Sequence, residues 1–296
     1  MEREETQTVG PRRLARRQSV PAEPLFSICT MVTNWAEYDG MRSSFVAGGF
    51  DPGRCEYLTI DNSQGNIADS YVATNEFLQA ARAPYIVLCH QDVLLLEDGA
   101  EILERCLSEL HDRFPRWAIA GNAGITGEGW PVTCISDPGN SENIYGSRPA
   151  EVVSLDENFL VIRREANLAV SRDLGGFHHY GTDLCVIADI LGWSAHVIDF
   201  FLRHNSTGTV DQRYFASAAA VRQKYARAFR PRWVPTIIGE HLFLAGGASA
   251  VTTRLALLRR VLKKLIGHLP RNRDLWGADR FSSGTRHKAA LEKSRQ

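Results

Sequence analysis

The chain has 296 residues, enough for one large domain with appendages or for two small ones. Hydrophobic residues at 44% and charged residues at 23% are ordinary values for a globular protein. Lys plus Arg equal Asp plus Glu at 34 each, which argues against a nucleic-acid binder and against a polyanionic tail. Cys29, Cys55, Cys89, Cys106, Cys134 and Cys185 show no paired metal-ligand spacing. They read as small buried hydrophobes in a reducing compartment, with neither a disulfide frame nor a zinc site implied. Residues 1–25 lack the apolar stretch of a signal peptide, and no apolar run is long enough to span a bilayer, so a cytoplasmic protein is expected.

Residues 1–24 carry many Arg and Glu and almost nothing apolar, and are expected to form a disordered arm. Leu25 to Val32 predicts a first strand ending in Thr33-Asn34-Trp35. Glu56 to Ile60 predicts a second, which breaks into Asp61-Asn62-Ser63-Gln64-Gly65-Asn66. A helix with apolar residues at helical spacing follows from Ile67 to Ala83. Tyr85 to Cys89 is a continuous apolar run, the pattern of a strand buried on both faces, and it breaks into His90-Gln91-Asp92. Ligands of open α/β sheets sit outside such carboxyl ends. The polar triplet therefore reads either as a ligand site, with Asp92 offering a metal carboxylate, or as a cap for the next helix.

A helix over Ile102–Phe114 and a strand over Trp117–Gly121 continue the βαβ pattern. Residues 122–150, rich in Gly, Asn, Ser and Pro, read as a long substrate-facing loop. Val152 to Ile162 predicts a strand pair interrupted by Asp156 and Glu157, acids that either contact a ligand or sit in a loop. Phe177 to Asp183 opens a helix running to about Leu191. Ala195 to Phe200 is a last strand, followed by Arg203-His204-Asn205, and Ala216–Phe229 is a helix stopped by Pro231. Between Val251 and Leu269 an apolar stripe faces Arg254, Arg259, Arg260, Lys263 and Lys264. Such a helix fits an anionic membrane surface, or packs on its own domain or on a second subunit. Residues 271–296 are polar and basic and expected to be disordered.

The order of these motifs resembles the nucleotide-sugar half of family 2 glycosyltransferases with the GT-A fold. The match runs over residues 25–235: the first strand with its polar turn, Ile60-Asp61-Asn62-Ser63, Thr74-Asn75, Tyr85 to Asp92, Asp156-Glu157-Asn158 to Arg164, Gly176 to Asp183, and His204. His90-Gln91-Asp92 is similar to a branch with His-Gln-Asp in place of Asp-x-Asp, so His90 stands where the family's first Asp lies. The resemblance implies a three-layer α/β/α domain over 25–236 with a mostly parallel twisted sheet, followed by a helical segment over 237–270. It implies a nucleotide-diphosphate sugar donor contacted by Thr33, Asn34, Asp61, Ser63, Asn66, Asn75, His90, Gln91 and Asp156. It implies Mn²⁺ or Mg²⁺ held by Asp92 and His204, with Asp183 as the base and His178, His179 and Tyr180 about the acceptor.

Each residue also has a plainer reading. Asp61 could close an Asx-turn, Asp183 could satisfy helix amides, and His204 could be a loop histidine bonded to backbone. With one base and no evident nucleophile, inversion is the expected outcome. The acceptor would be a saccharide or a lipid-linked sugar, reached from the cytoplasm or from the inner membrane face. The other functions compatible with this pattern are a non-catalytic nucleotide-sugar or glycan-binding module and a sugar nucleotidyltransferase. The last would bring a Gly- and basic-rich phosphate loop after the first strand, which Thr33-Asn34-Trp35-Ala36-Glu37 is not.

Overall fold

Residues 15–16, 23–138, 141–206, 210–230, 232–238 and 241–244 are described by the computed structural model. The expected amphipathic helix at 251–269 and the basic tail at 271–296 lie outside them. So does the expected arm, apart from β1 (Ala15–Arg16), which pairs antiparallel with Leu58 and Thr59.

The first half folds as strand–helix–strand–helix–strand: β2 (Phe26–Val32), α1 (Trp35–Ala47), β3 (Cys55–Asp61), α2 (Ser70–Ala80) and β4 (Tyr85–Cys89). Asn34 caps α1 by accepting the Ala36 amide, and Asp69 caps α2 by accepting the Val72 amide. A three-residue strand, β5 (Val93–Leu95), then precedes α3 (Ala100–Arg113), whose buried Ala100, Leu103, Leu107 and Leu110 recur at helical spacing. Next comes β6 (Trp117–Gly121), buried throughout.

The expected loop over 122–150 is instead β7 (Ala123–Ile125), β8 (Pro131–Asp137) and β9 (Ser141–Tyr145), paired antiparallel in sequence. Gly127 and Gly129 lie in the turn between β7 and β8, and Val132, Cys134 and Ile135 of β8 are buried. After β10 (Ala150–Val152) and β11 (Ser154–Leu155), β12 (Phe159–Arg163) runs through the centre of the molecule. It is followed by α4 (Tyr180–Ile190), β13 (Ser194–Val197) and β14 (Leu202–His204). The single last strand expected at 195–200 is thus two strands in two sheets. Phe201, which lies between them, is held by its amide to the Asp98 carboxylate at 2.7 Å.

The central sheet has the order β1-β3-β2-β4-β12-β6-β13-β10. Only the β3–β2, β2–β4 and β6–β13 junctions are parallel; the other four are antiparallel. The sheet is therefore mixed rather than mostly parallel, because β12 enters between β4 and β6 from the opposite end. Alternation along each strand feeds two cores. Ile86, Leu88, Leu160 and Ile162 pack in one with residues of α2 and α4. Val87, Cys89, Phe159 and Val161 pack in the other with residues of α1 and α3. A second sheet, β11-β7-β8-β14-β5, is built from the short strands.

The chain divides into two compact units, Met1–Ala218 and Ala219–Gln296, with the division inside α5 (Gln212–Ala228). The second unit contains the rest of that helix and the hairpin of β15 (Arg232–Pro235) and β16 (His241–Leu244). Among the described residues no helix is long and apolar enough to cross a membrane. None of the six cysteines is in a disulfide.

Candidate metal and ligand site

The site forms where β4 ends. His90 begins a tight turn in which its carbonyl accepts the Val93 amide, and β5 starts at once. The antiparallel register of β5 with β14 sets His204 against Val93, and the Asn205 amide donates to the Asp92 carbonyl. Two residues more than a hundred positions apart are thereby neighbours. His204 Nε2 stands 3.4 Å from Asp92 Oδ1 and 3.4 Å from His90 Nδ1. One ligand atom from each of the three residues lies within 4.8 Å of the others, which is the spacing of a candidate cation site.

The charge states suit a divalent cation. Burial, reinforced by His204, pushes the His90 imidazole below its ordinary value, so it is neutral and has a lone pair to offer. Burial would raise the Asp92 carboxyl, but the hydrogen bond and charge of His204 outweigh it and hold the group below the usual carboxylate range. Two imidazoles and a carboxylate fit Mn²⁺ better than an all-oxygen Mg²⁺ shell. Cys89 is adjacent, but burial raises its thiol well above the usual range, so it is no thiolate ligand.

Gln91 is a clamp. Its Oε1 accepts the amides of Thr33 and Asn34, and its Nε2 donates to Thr33 Oγ1 and Glu37 Oε2. The Asn34 side chain caps α1, so both residues shape the turn after β2. Two concavities meet beside this turn. A cleft of about 180 Å³ is lined by Thr33, Asn62, Thr74, Phe77, His90, Gln91, Asp92, Phe177 and Tyr180, among others. A broader groove of about 780 Å³ is lined by Glu37, Gly40, Asp92, Leu94, Pro138, Asn205 and Ser206. Asp92 lines both.

Thr33, His90, Gln91, Asp92 and Tyr180 are thus gathered at one cleft, with His204 joined through Asp92. Asp156 is exposed on the turn before β12; its Oδ1 accepts both the amide and the Nδ2 of Asn158, whose carbonyl accepts the His90 amide. Asp61 is exposed and closes an Asx-turn on the Ser63 amide, with Ser63 half-buried and Asn66 exposed along the same turn.

Two of the expected site residues lie in the interior. Asn75 is buried, and its amide pairs in both directions with Val170, donating to the carbonyl at 3.0 Å and accepting the amide at 3.1 Å. It fastens α2 to the 168–171 segment. Asp183 is fully buried, and its two oxygens accept the Ser171 amide at 2.7 Å and the Ser171 hydroxyl at 2.8 Å.

His178 and His179 pack on Tyr214, with ring centroids 5.5 and 4.5 Å away. His179 holds a left-handed backbone conformation, φ 66°, and its Nδ1 lies 3.2 Å from Ser217 Oγ. Tyr180 is buried instead beside His90, at 3.4 Å from Nε2.

The acid that stands out is Glu157. Burial, aided by the Asp156 charge, pushes its carboxyl up to about 8, although its Oε1 accepts the Gly181 amide at 3.2 Å. Gly181 allows this contact, because a Cβ there would lie 2.7 Å from the Leu155 carbonyl oxygen. Periodicity marks Glu157 only as one loop acid among several; its environment is visible only once α4 is packed against the turn. Asn62, whose side chain accepts the Ile67 and Ala68 amides and donates to the Ala68 carbonyl, lines the cleft and likewise has no local signal.

A mixed α/β protein with a His-Asp-His site at the rim of its central sheet is the class that this geometry defines. The chain belongs to the family of the ATP synthase subunits region ORF 6 protein of Fuscovulum blasticum, a name that specifies no reaction. The two are 34% identical over 232 residues, covering 75% of this chain and 92% of that one. No protein-family model matches. Among solved structures, mannosyltransferase PcManGT from Pyrobaculum calidifontis, in complex with GDP-Man and Mn²⁺, superposes with a TM-score of 0.46 at 12% identity, over 76% of this chain and 69% of that one. A197 from STIV gives a TM-score of 0.36 at 10% identity, over 76% and 96%. Neither likeness is close enough to assign a fold or an activity.

Proposed function

We propose that the chain is a metal-dependent glycosyltransferase that moves a sugar from a nucleotide-diphosphate donor to a saccharide or lipid-linked acceptor with inversion. The observation that carries the reading is the His90–Asp92–His204 cluster, set where a narrow cleft and a broad groove share Asp92. The motif order from Thr33 to His204 supports it.

The cleft suits the nucleoside end of the donor. Met31, Ala73, Phe77, Leu88 and Phe177 give it apolar walls, while Thr33 and Asn62 add polar groups. The groove is wider and offers Glu37, Asp92, Asn205 and Ser206 as polar groups for a sugar acceptor. His90, Asp92 and His204 would hold the cation, which when bound supplies Lewis-acid stabilisation of charge on the departing diphosphate. Gln91 fixes the turn that borders both concavities.

Attack by an acceptor hydroxyl requires a base, and efficiency is best when its pKa lies near the working pH. We assign that role to Glu157, whose carboxyl titrates near 8 and which is half-buried on the turn beside His90. Asp183 instead supports this region by fastening Ser171 to α4.

Thermal-shift titration of the full chain with nucleoside diphosphates, with and without Mn²⁺, tests the reading. A bound nucleotide should stabilise the protein by about 2.7 kcal/mol at a concentration 100 times its Kd, and only with the cation present. Absence of a shift for every nucleoside diphosphate in Mn²⁺ and in Mg²⁺ would overturn it.

A further inference from the structure

We propose that Tyr180 is a positioning residue that fixes the tautomer of His90 and so aims Nδ1 of that ring at the cation. The inference rests on the cation reading of the His90–Asp92–His204 cluster. It follows from counting hydrogens.

A phenol has one hydrogen to donate. Tyr180 donates it to the backbone carbonyl of Glu157, 3.2 Å away. The same phenol oxygen lies 3.4 Å from His90 Nε2. With its hydrogen engaged, Tyr180 can only accept from the imidazole, so Nε2 carries the ring hydrogen. A neutral ring protonated there has its lone pair on Nδ1, the atom that lies 3.4 Å from His204 Nε2 inside the cluster. The reverse tautomer would point an N–H at the cation position and turn the phenol hydrogen away from Glu157.

Tyr180 is buried against Tyr71, with ring centroids 6.4 Å apart, so water does not easily replace the hydroxyl. Histidines that bind metals generally give their other N–H to such an outer partner, which fixes both ring orientation and tautomer. The connection also links α4 to the cation site: its first residue orients a ligand offered by β4.

The test uses the full chain with ¹⁵N-labelled histidine and the Tyr180→Phe variant, which keeps the ring and removes one hydroxyl. In the metal-free wild type, long-range ¹H–¹⁵N spectra should show His90, assigned with a His90→Gln sample, protonated at Nε2 and bare at Nδ1. Tyr180→Phe should show a mixture of the two tautomers. Calorimetric titration with Mn²⁺ should show an affinity about 10- to 100-fold weaker for Tyr180→Phe, the usual cost of losing an outer partner. Tyr71→Phe loses a neighbouring buried hydroxyl that donates to the His178 carbonyl, and should bind Mn²⁺ as the wild type does. A wild-type His90 protonated at Nδ1, or equal weakening in both Tyr variants, overturns the proposal. Should the wild type bind no cation, the metal reading fails, while the tautomer spectra still decide the role of Tyr180.

Discussion

Gln91 and Thr33 are joined twice: the Thr33 amide donates to Gln91 Oε1 at 2.8 Å, and Gln91 Nε2 donates to Thr33 Oγ1 at 2.8 Å. The pair ties the end of β4 to the end of β2 across the rim of the sheet. Gln91→Ala should therefore loosen the turn over residues 33–37 and cost about 1–2 kcal/mol of stability, since these bonds are exposed. Urea unfolding measures the cost. Hydrogen exchange should show faster exchange at Thr33 and Asn34, and unchanged protection there would refute the clamp.

Asp92→Asn should weaken Mn²⁺ binding by more than about 100-fold, because even outer partners of metal ligands are worth 10- to 100-fold. The melting temperature of the metal-free protein should move by no more than ~3 °C, since the asparagine keeps the shape of the side chain and can still hydrogen-bond His204. Calorimetry and thermal melting on the same samples separate the two effects.

Asp183→Asn should behave in the opposite way. Its side chain accepts from two donors of Ser171 in a dry environment, so an amide there turns an N–H toward a donor. The expected loss is about 2 kcal/mol of stability, the cost of a buried unsatisfied group. An Asp183→Asn protein with wild-type stability but no transfer would restore the carboxylate to the role of base.

His196 gives the fold a dependence on pH. It is fully buried, lies against the Phe114 ring and is 2.8 Å from Ser194 Oγ. Burial, then the charge of Arg113, pushes its imidazole down to about 4 from the ordinary 6.5. The unfolded chain binds this proton more tightly than the folded one does. Stability is therefore complete above about pH 6.5 and is lost as the pH falls toward 4, by about 2 kcal/mol at pH 5. Urea midpoints of wild type and His196→Gln at pH 7 and 5 check this: the variant should lose less between the two.

The strands Tyr85–Cys89 and Trp117–Gly121 were legible to the residue, because continuous apolar runs bounded by polar residues leave little choice of register. The polar break at His90-Gln91-Asp92 was legible for the same reason. What remained hidden depends on distant pairing. β5 is three residues long, and no local pattern announces it, yet its register with β14 is what sets His204 beside Asp92. Asp183 illustrates the complementary difficulty. An acid opening a helix has the same local signature whether it faces solvent or Ser171, and only the packing of residues 168–171 decides.

The direction of β12 has one further consequence. Strands that run with β4 deliver residues to the rim as they leave the sheet, whereas β12 delivers Asp156, Glu157 and Asn158 as it enters. The rim is therefore assembled from two supply lines, one outgoing through residues 90–92 and one incoming through residues 153–158. The β7–β9 meander braces both sides of it: β7 pairs with β11 on the incoming line, and β8 pairs with β14, which carries His204 to Asp92. An insertion or deletion in the meander is therefore felt at His204 as well as at Glu157.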